Sequence, residues 1–381
     1  MADGESAAIS AFVDLIAKVI QSRAFSTFLY NAFVKSWDVI VVGGGIIGLS
    51  LAIALRKRDA RVLIVERGEP GREASHAAAG MLVDDPDETL PALQALASAS
   101  AQMYPEFVHE LREESGLRID LRDEGTILLG TGEGPLPARL SQLEPNLHSR
   151  DRQTKFLKER SVDPRDLAAA ALKAVKHRGV DIVSGSLVTG VTTDKGQATG
   201  ITTDRANYLA PKVVNCAGAW SGQIPPHRFP TRPVKGQMLA VVGGPALKHT
   251  IRSPEVYIVP RSNGRMLIGS TVEEAGFDKR TDAATIQRLH DAALGLVPSL
   301  QEARVIEAWA GLRPGTPDNL PILGETCTAG YFVATGHFRD GILLAPVTAK
   351  IMARAISGEK PAHDISAFSP ERFSDDAARA S

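Results

Sequence analysis

Cysteine is nearly absent: the 381-residue chain has two, Cys216 and Cys327, too few and too far apart for a disulfide framework or a metal cluster. A reducing compartment is therefore the expected environment, and the cytoplasm the expected location. No apolar run approaches the roughly 20 residues of a membrane-spanning helix, so a soluble protein is expected. Neither sign of charge is in excess, with 43 Lys and Arg against 44 Asp and Glu. Without a basic field there is no general attraction for nucleic acid or anionic lipid, and any partner must be recognised at a local site. Internal repeats and low-complexity stretches are also lacking.

What is present is a globular composition, 44% hydrophobic, in a chain long enough for two packed domains. The first 36 residues differ in texture. Phe12, Leu15, Ile16, Val19 and Ile20 fall at helical spacing, followed by Phe25, Phe28, Leu29 and Phe33. This amphipathic leader opens on Asp3 and Glu5, which argues against a secretory signal. A start-site extension, a docking or membrane-surface helix and a targeting segment all stay open for it, and membrane association is expected only through it.

Residues 38–42 are a β-branched run, apolar on both sides, as a central parallel strand between helix layers would be. Gly43-Gly44-Gly45-Ile46-Ile47-Gly48 follows, then a helix over 49–58 and a second strand over 61–66, giving one βαβ unit. Helices are expected over 91–115 and 163–179, the latter with Pro164 in its first turn and Gly179 past its last. Strands are expected at 126–129, 180–183 and 213–217. Those at 237–242, 256–260 and 266–270 alternate with Gly- and Pro-rich turns and suit an antiparallel sheet. A last strand at 331–334 leads through Gly336 to Gly341 into a helix ending near Gly358.

Gly43, Gly45 and Gly48 satisfy GxGxxG. Their tasks are a tight turn, close approach of backbone to a pyrophosphate, and tight packing of helix on strand. The helix amino terminus then meets the phosphates with its partial positive charge. Glu66 ends the second strand, where a carboxylate can bind ribose hydroxyls and disfavours a 2′-phosphate, leaving FAD or NAD.

Four blocks carry a family resemblance: VIVVGGGIIGLSLA from Val39, ASHAAAGML at 74–82, VVNCAGAWSG at 213–222, and WAGLRPGTPDNLPILG with GHFRDGILLAP between Trp309 and Pro346. Together, over residues 38–358, they resemble the FAD-dependent amino-acid oxidases of the D-amino-acid oxidase superfamily, most closely the glycine oxidases of thiamine biosynthesis. The implied fold is an α/β Rossmann-type FAD-binding domain (37–83, 158–222 and 309–360) with a second α+β substrate domain on a mainly antiparallel sheet (84–157 and 223–308). Residues 361–381 form a tail.

The resemblance also implies residues. Ile46, Ile47 and Arg67 join the glycines and Glu66 at the cofactor, and Ser75, Ala78, Ala79, Gly80 and Met81 line its pyrophosphate and ring, where small side chains let backbone approach. Val188, Ala217 and Gly218 meet the adenosine half. Gly336, His337, Phe338, Arg339, Asp340, Gly341 and Ile342 lie near the flavin's pyrimidine edge, where negative charge accumulates on reduction. Arg313 holds a substrate carboxylate through its planar fork, with Tyr257 and Arg339 beside it.

The implied reaction is hydride transfer from the substrate Cα to the flavin, with no obligatory side-chain base. It is followed by imine hydrolysis to a 2-oxo acid, and by reduction of dioxygen to hydrogen peroxide. His76 and His337 are expected to shape their loops. Gly311 stands where sarcosine-oxidase relatives carry a flavin-linking cysteine, and Cys327 lies too far along to replace it, so noncovalent FAD is expected. The stretch over 130–155 is shorter than the insert usual in glycine oxidases. A homo-oligomer is expected. A dehydrogenase of a D-amino acid or 2-hydroxy acid, passing electrons to a quinone or carrier, is the alternative.

Overall fold

The computed structural model describes residues 36–133, 142–148 and 152–373; the leader up to residue 35, with Gly134, Pro135, Pro137 and residues 374–381, lies outside them. Along the chain come β1 (Val39–Val42), α1 (Ile46–Arg56), β2 (Val62–Glu66), α2 (Ala74–Ala77), β3 (Met81–Leu82), α3 (Gln94–Ser115), β4 (Leu121–Arg122) and β5 (Thr126–Glu133). Next are β6 (Arg152–Leu157), β7 (Arg160–Val162), α4 (Pro164–His177), β8 (Asp181–Ser184), β9 (Val188–Asp194), β10 (Gln197–Thr203), β11 (Asn207–Leu209) and β12 (Val213–Asn215). The rest are β13 (Arg232–Val242), β14 (Thr250–Arg252), β15 (Tyr257–Pro260), β16 (Met266–Gly269), α5 (Ala283–Leu296), β17 (Arg304–Gly315), β18 (Ile322–Glu325), β19 (Tyr331–Thr335) and α6 (Ala345–Ile356).

A six-stranded sheet has the order β18-β19-β12-β1-β2-β8. Its β1 is wholly buried and pairs in parallel with β2 and β12, the central position its β-branched run demands. Helices α1, α3, α4 and α6 share one core with it, in which Leu49, Leu51, Tyr104, Leu167 and Ile351 are nearly sealed from solvent. Each such aliphatic side chain contributes about 1.5–3 kcal/mol when fully buried. Segment 94–115 thus packs with the nucleotide-type sheet, although its sequence position groups it with the substrate domain.

Helix α3 keeps Pro105 in its interior. A proline there leaves the carbonyl four residues back without its helical donor, and the Arg160 guanidinium reaches the Ala101 carbonyl at 3.4 Å. The same helix holds the turn preceding α6 from behind, through Ser100 Oγ donating to the Leu343 carbonyl at 2.6 Å and Tyr104 Oη donating to that of Ile342. Asp163 caps α4 by accepting the Arg165 amide at 2.9 Å, with Pro164 as the first helical residue.

A seven-stranded sheet has the order β17-β13-β16-β15-β14-β5-β6, antiparallel except for the β14–β5 pair. Along β13, Leu239 and Val241 face α5 and its Leu289, Ala293 and Leu296, whereas Met238 and Ala240 face Ala79 with Val259 and Leu267. The two-residue period of a strand makes this division. Several elements went unmarked by the sequence pattern, among them α5, the twelve-residue β17, and the strands β6, β9, β10 and β14. A further correction concerns the last helix, which starts at Ala345 rather than directly from Gly336–Gly341, because residues 337–344 are taken up in turns.

Gly48 shows how tightly α1 lies on β1: a Cβ placed there would sit 2.1 Å from the Gly43 carbonyl oxygen and 3.2 Å from Val41 Cγ1. Gly48→Ala is expected to cost about 1–3 kcal/mol by overpacking and to lower the melting temperature measured by calorimetry. An unchanged transition would show that the helix shifts freely off the strand.

Candidate functional site: a cavity between the two sheets

A cavity of about 760 Å³ opens where the carboxyl ends of β1 and β2 meet the face of the seven-stranded sheet that carries Gly236, Met238 and Arg313. Of the residues singled out in sequence, Gly43, Gly45, Ile46, Ile47, Glu66, Arg67, Ser75, Ala78, Ala79, Gly80 and Met81 line it. So do Val188, Ala217, Gly218, Tyr257, Arg313, His337, Phe338, Arg339, Asp340, Gly341 and Ile342. Gly48 and Gly336 are not at the wall. Gly48 lies under α1, and Gly336, at φ +74°, packs beside Thr316, whose Cγ2 would be 2.6 Å from an added Cβ.

The glycine loop divides its constraints. Gly43 has φ +103°, and a Cβ there would come within 2.5 Å of the Cys216 carbonyl oxygen. At Gly45 the nearest protein atom to a built Cβ is Ser75 Oγ, at an ordinary 3.5 Å. Protein packing therefore does not require glycine at 45, while a ligand pressed against the loop would, which fits a pyrophosphate. Ser75 Oγ accepts the Ile46 amide at 2.9 Å, so this hydroxyl already occupies one donor of the α1 terminus. Glu66 holds the loop as well as facing the cavity: its carboxylate accepts the Gly44 and Gly68 amides, each at 2.8 Å. Beside it, the Arg67 guanidinium lies 3.9 Å over the Trp220 ring, which stacks on Phe277.

At the other end, Arg313 lies along β13, its guanidinium crossing Gly236, where an added Cβ would meet Nη1 at 2.3 Å. Nη1 donates to the Thr271 carbonyl at 3.1 Å and Nη2 to Ser270 Oγ at 2.7 Å. Among the described residues no carboxylate forms an ion pair with it. Burial lowers its pKa from the usual guanidinium range, and Arg339 across the cavity adds repulsion. Tyr257 is raised, chiefly by burial, so its phenol stays a donor; its Oη is 3.5 Å from Met238 Sδ. Arg313, Arg339 and the Tyr257 phenol thus share one cavity wall, and Glu273 acts on Arg313 through its charge without forming an ion pair.

Sequence reasoning missed Gly236, Ser270 and Thr271, which set the orientation of Arg313. A glycine inside a strand is the one available signal, since it often marks a close approach. The two histidines differ in their surroundings. His337 is buried, with Nε2 3.1 Å from Thr348 Oγ1, and burial pushes its pKa down to about 3. His76 is off the wall and is lowered by burial and then by Arg165. Asp340 is raised to about 6 by burial, an effect Arg339 opposes. The described residues contain no cluster able to hold a metal and no helix long and apolar enough to cross a membrane.

Residues 38–355 match the family model described as FAD dependent oxidoreductase. The chain belongs to that family. As a member it is an FAD-dependent oxidoreductase, and the glycine loop, Glu66 and the open wall at Gly45 are suited to that cofactor. Among relatives, it is 34% identical over 361 residues to the bifunctional protein ThiO/ThiG of Trichormus variabilis, covering 88% of this chain and 55% of that protein. The flavoprotein thus spans about half the length of that relative. It is 30% identical over 403 residues to the hydrogen cyanide synthase subunit HcnC of Pseudomonas aeruginosa, covering 89% and 97% of the two chains. The crystal structure of glycine oxidase from Geobacillus kaustophilus superposes with a TM-score of 0.84 at 33% identity, covering 89% of this chain and 99% of that one.

Two outcomes are expected for the cofactor. At Gly311 a Cβ would meet Ala77 Cβ at 2.3 Å, so the wall leaves no room for a linking side chain; acid denaturation should release intact FAD into the supernatant, and flavin staying with the precipitate would refute noncovalent binding. Glu66→Ala should raise the FAD dissociation constant by about 10- to 100-fold, since a carboxylate hydrogen bond is worth about 1.5–3 kcal/mol. Fluorescence titration of apoprotein measures it, and an unchanged constant would remove Glu66 from the site.

Proposed function

We propose that the chain oxidises glycine or another small amino acid to an imine, which hydrolyses to a 2-oxo acid and ammonia, with dioxygen reduced to hydrogen peroxide. The observation that supports this most is Arg313, a half-buried guanidinium with no carboxylate ion pair among the described residues, facing the cavity beside Tyr257 and Arg339. A substrate carboxylate would supply the missing anion, meeting the planar fork with two parallel charge-assisted bonds. The name of the superposed structure, glycine oxidase, supports the same chemistry, and the likeness to the bifunctional ThiO/ThiG protein supports a place in thiamine biosynthesis.

Bound FAD supplies the two-electron acceptor for this reaction. The protein's part is orientation. Ser270 and Thr271 fix the guanidinium, the guanidinium fixes the carboxylate, and the Cα hydrogen is aimed from there. Tyr257, kept protonated, donates to the same carboxylate. Burial keeps His337 neutral, and its Nε2 lies 3.1 Å from Thr348 Oγ1, so this ring is a poor acceptor for the amine proton.

Arg313→Ala is expected to lower the specificity constant for glycine by about 30-fold to several thousand-fold, the equivalent of roughly 2–5 kcal/mol for losing a buried charged pair. FAD content should stay normal. Arg313→Lys keeps charge without the fork and should recover only part of the activity. Peroxide formation under air and anaerobic flavin bleaching are to be followed separately. Near wild-type turnover in Arg313→Ala would remove both the site and the amino-acid assignment, while bleaching without peroxide would replace dioxygen by another acceptor.

A further inference from the structure

The wall formed by residues 77–81 is a run of small side chains whose peptide groups are held from the far side. Trp309 Nε1 donates to the Ala77 carbonyl at 3.1 Å, Arg165 Nε reaches the His76 carbonyl at 3.4 Å, and the buried Arg261 donates through Nη2 to the Ala79 carbonyl. The Val162 amide takes the Gly80 carbonyl at 2.8 Å. Residues 77–81 line the cavity, whereas Trp309, Arg165, Arg261 and Val162 do not.

A trans peptide points its N–H opposite to its C=O. Pulling the Ala77 and Ala79 carbonyls away from the cavity therefore turns the Ala78 and Gly80 N–H groups toward it. Neither amide meets an acceptor among the described residues. Gly80 has no alternative conformation for a side chain to share: its φ is +73°, and a Cβ would lie 1.9 Å from the Val162 carbonyl oxygen.

The carbonyl-holding groups are themselves fixed. Arg165 forms a bidentate pair with Glu307 at 2.9 and 2.8 Å and lies 4.8 Å over the Trp309 ring. Arg261 follows β15, the strand of Tyr257, and its Nε is 3.8 Å from the Asp163 carboxylate that caps α4.

We infer that Arg261 and Trp309 are positioning residues that aim the Ala78 and Gly80 amides at the bound flavin and thereby favour its reduced, electron-rich form. Preorganised N–H donors stabilise negative charge that develops in the reaction and need no reorganisation when it appears. The inference rests on this cavity being the FAD site.

The test measures the midpoint potential of bound flavin in wild type, Trp309→Phe and Arg261→Gln, by equilibration with a reference dye, alongside the dissociation constant of oxidised FAD. Trp309→Phe removes one donor with no change of charge. Its expected result is about a tenfold fall in the ratio of reduced to oxidised flavin, a shift of about −30 mV for a two-electron couple. Binding of oxidised FAD should change less than that of reduced FAD, and the rate of flavin reduction by glycine should fall with little change in KM.

Arg261→Gln should shift the potential in the same direction. If it fails to fold, Trp309→Phe decides alone. Unchanged potentials in folded, FAD-loaded variants, or equal weakening of both oxidation states, would overturn the inference and leave these side chains purely structural. Wild-type protein that binds no FAD would instead overturn the reading of the cavity itself.

Discussion

The site depends on one pair of strands. β13 and β17 run antiparallel from Arg232 opposite Gly315 to Val242 opposite Arg304, and this register sets Gly236 against Gly311 and Val234 against Arg313. Alternate residues of a strand share a face, so Glu307, Trp309, Gly311 and Arg313 project to the same side of β17. The first two engage Arg165 and the segment 76–79; the last two reach the cavity. A one-residue slip would turn all four away together. The glycines remove the side chains that would otherwise stand under the guanidinium and against Ala77.

Much of the six-stranded sheet was legible because its signals are local. A buried parallel strand reads as a β-branched run, the glycine loop follows it at once, and Asp163-Pro164 marks a helix start within two residues. The strand β17 was illegible for the opposite reason. Val305 and Ile306 are exposed, Glu307 and Arg313 are charged, and the partner that makes it a strand lies some seventy residues earlier. Helix α5 carried a capping signal in Asp282, which accepts the Thr285 amide, but it follows a turn-rich stretch where strand patterns dominate.

The substrate end of the candidate site was legible only through family blocks. Nothing in periodicity distinguishes Arg313 from a surface arginine. What sets it apart is the company it keeps: Ser270 and Thr271 from one loop, Gly236 from a neighbouring strand, and Arg339 from the turn before α6. Such convergence of distant segments is a property of tertiary structure. The same holds for Glu66, whose sequence position suggested a ligand contact but whose carboxylate also ties Gly44 to Gly68.

Read as a carboxylate site, the Arg313 and Arg339 cations would form an anion trap that does not discriminate by itself. Chloride, acetate and other ordinary anions of a cell or a buffer meet the same field as a substrate carboxylate. Selectivity must then come from what the rest of the cavity does with the part of the molecule beyond its carboxylate. Occupancy by substrate will depend on ionic composition even where the substrate concentration is fixed.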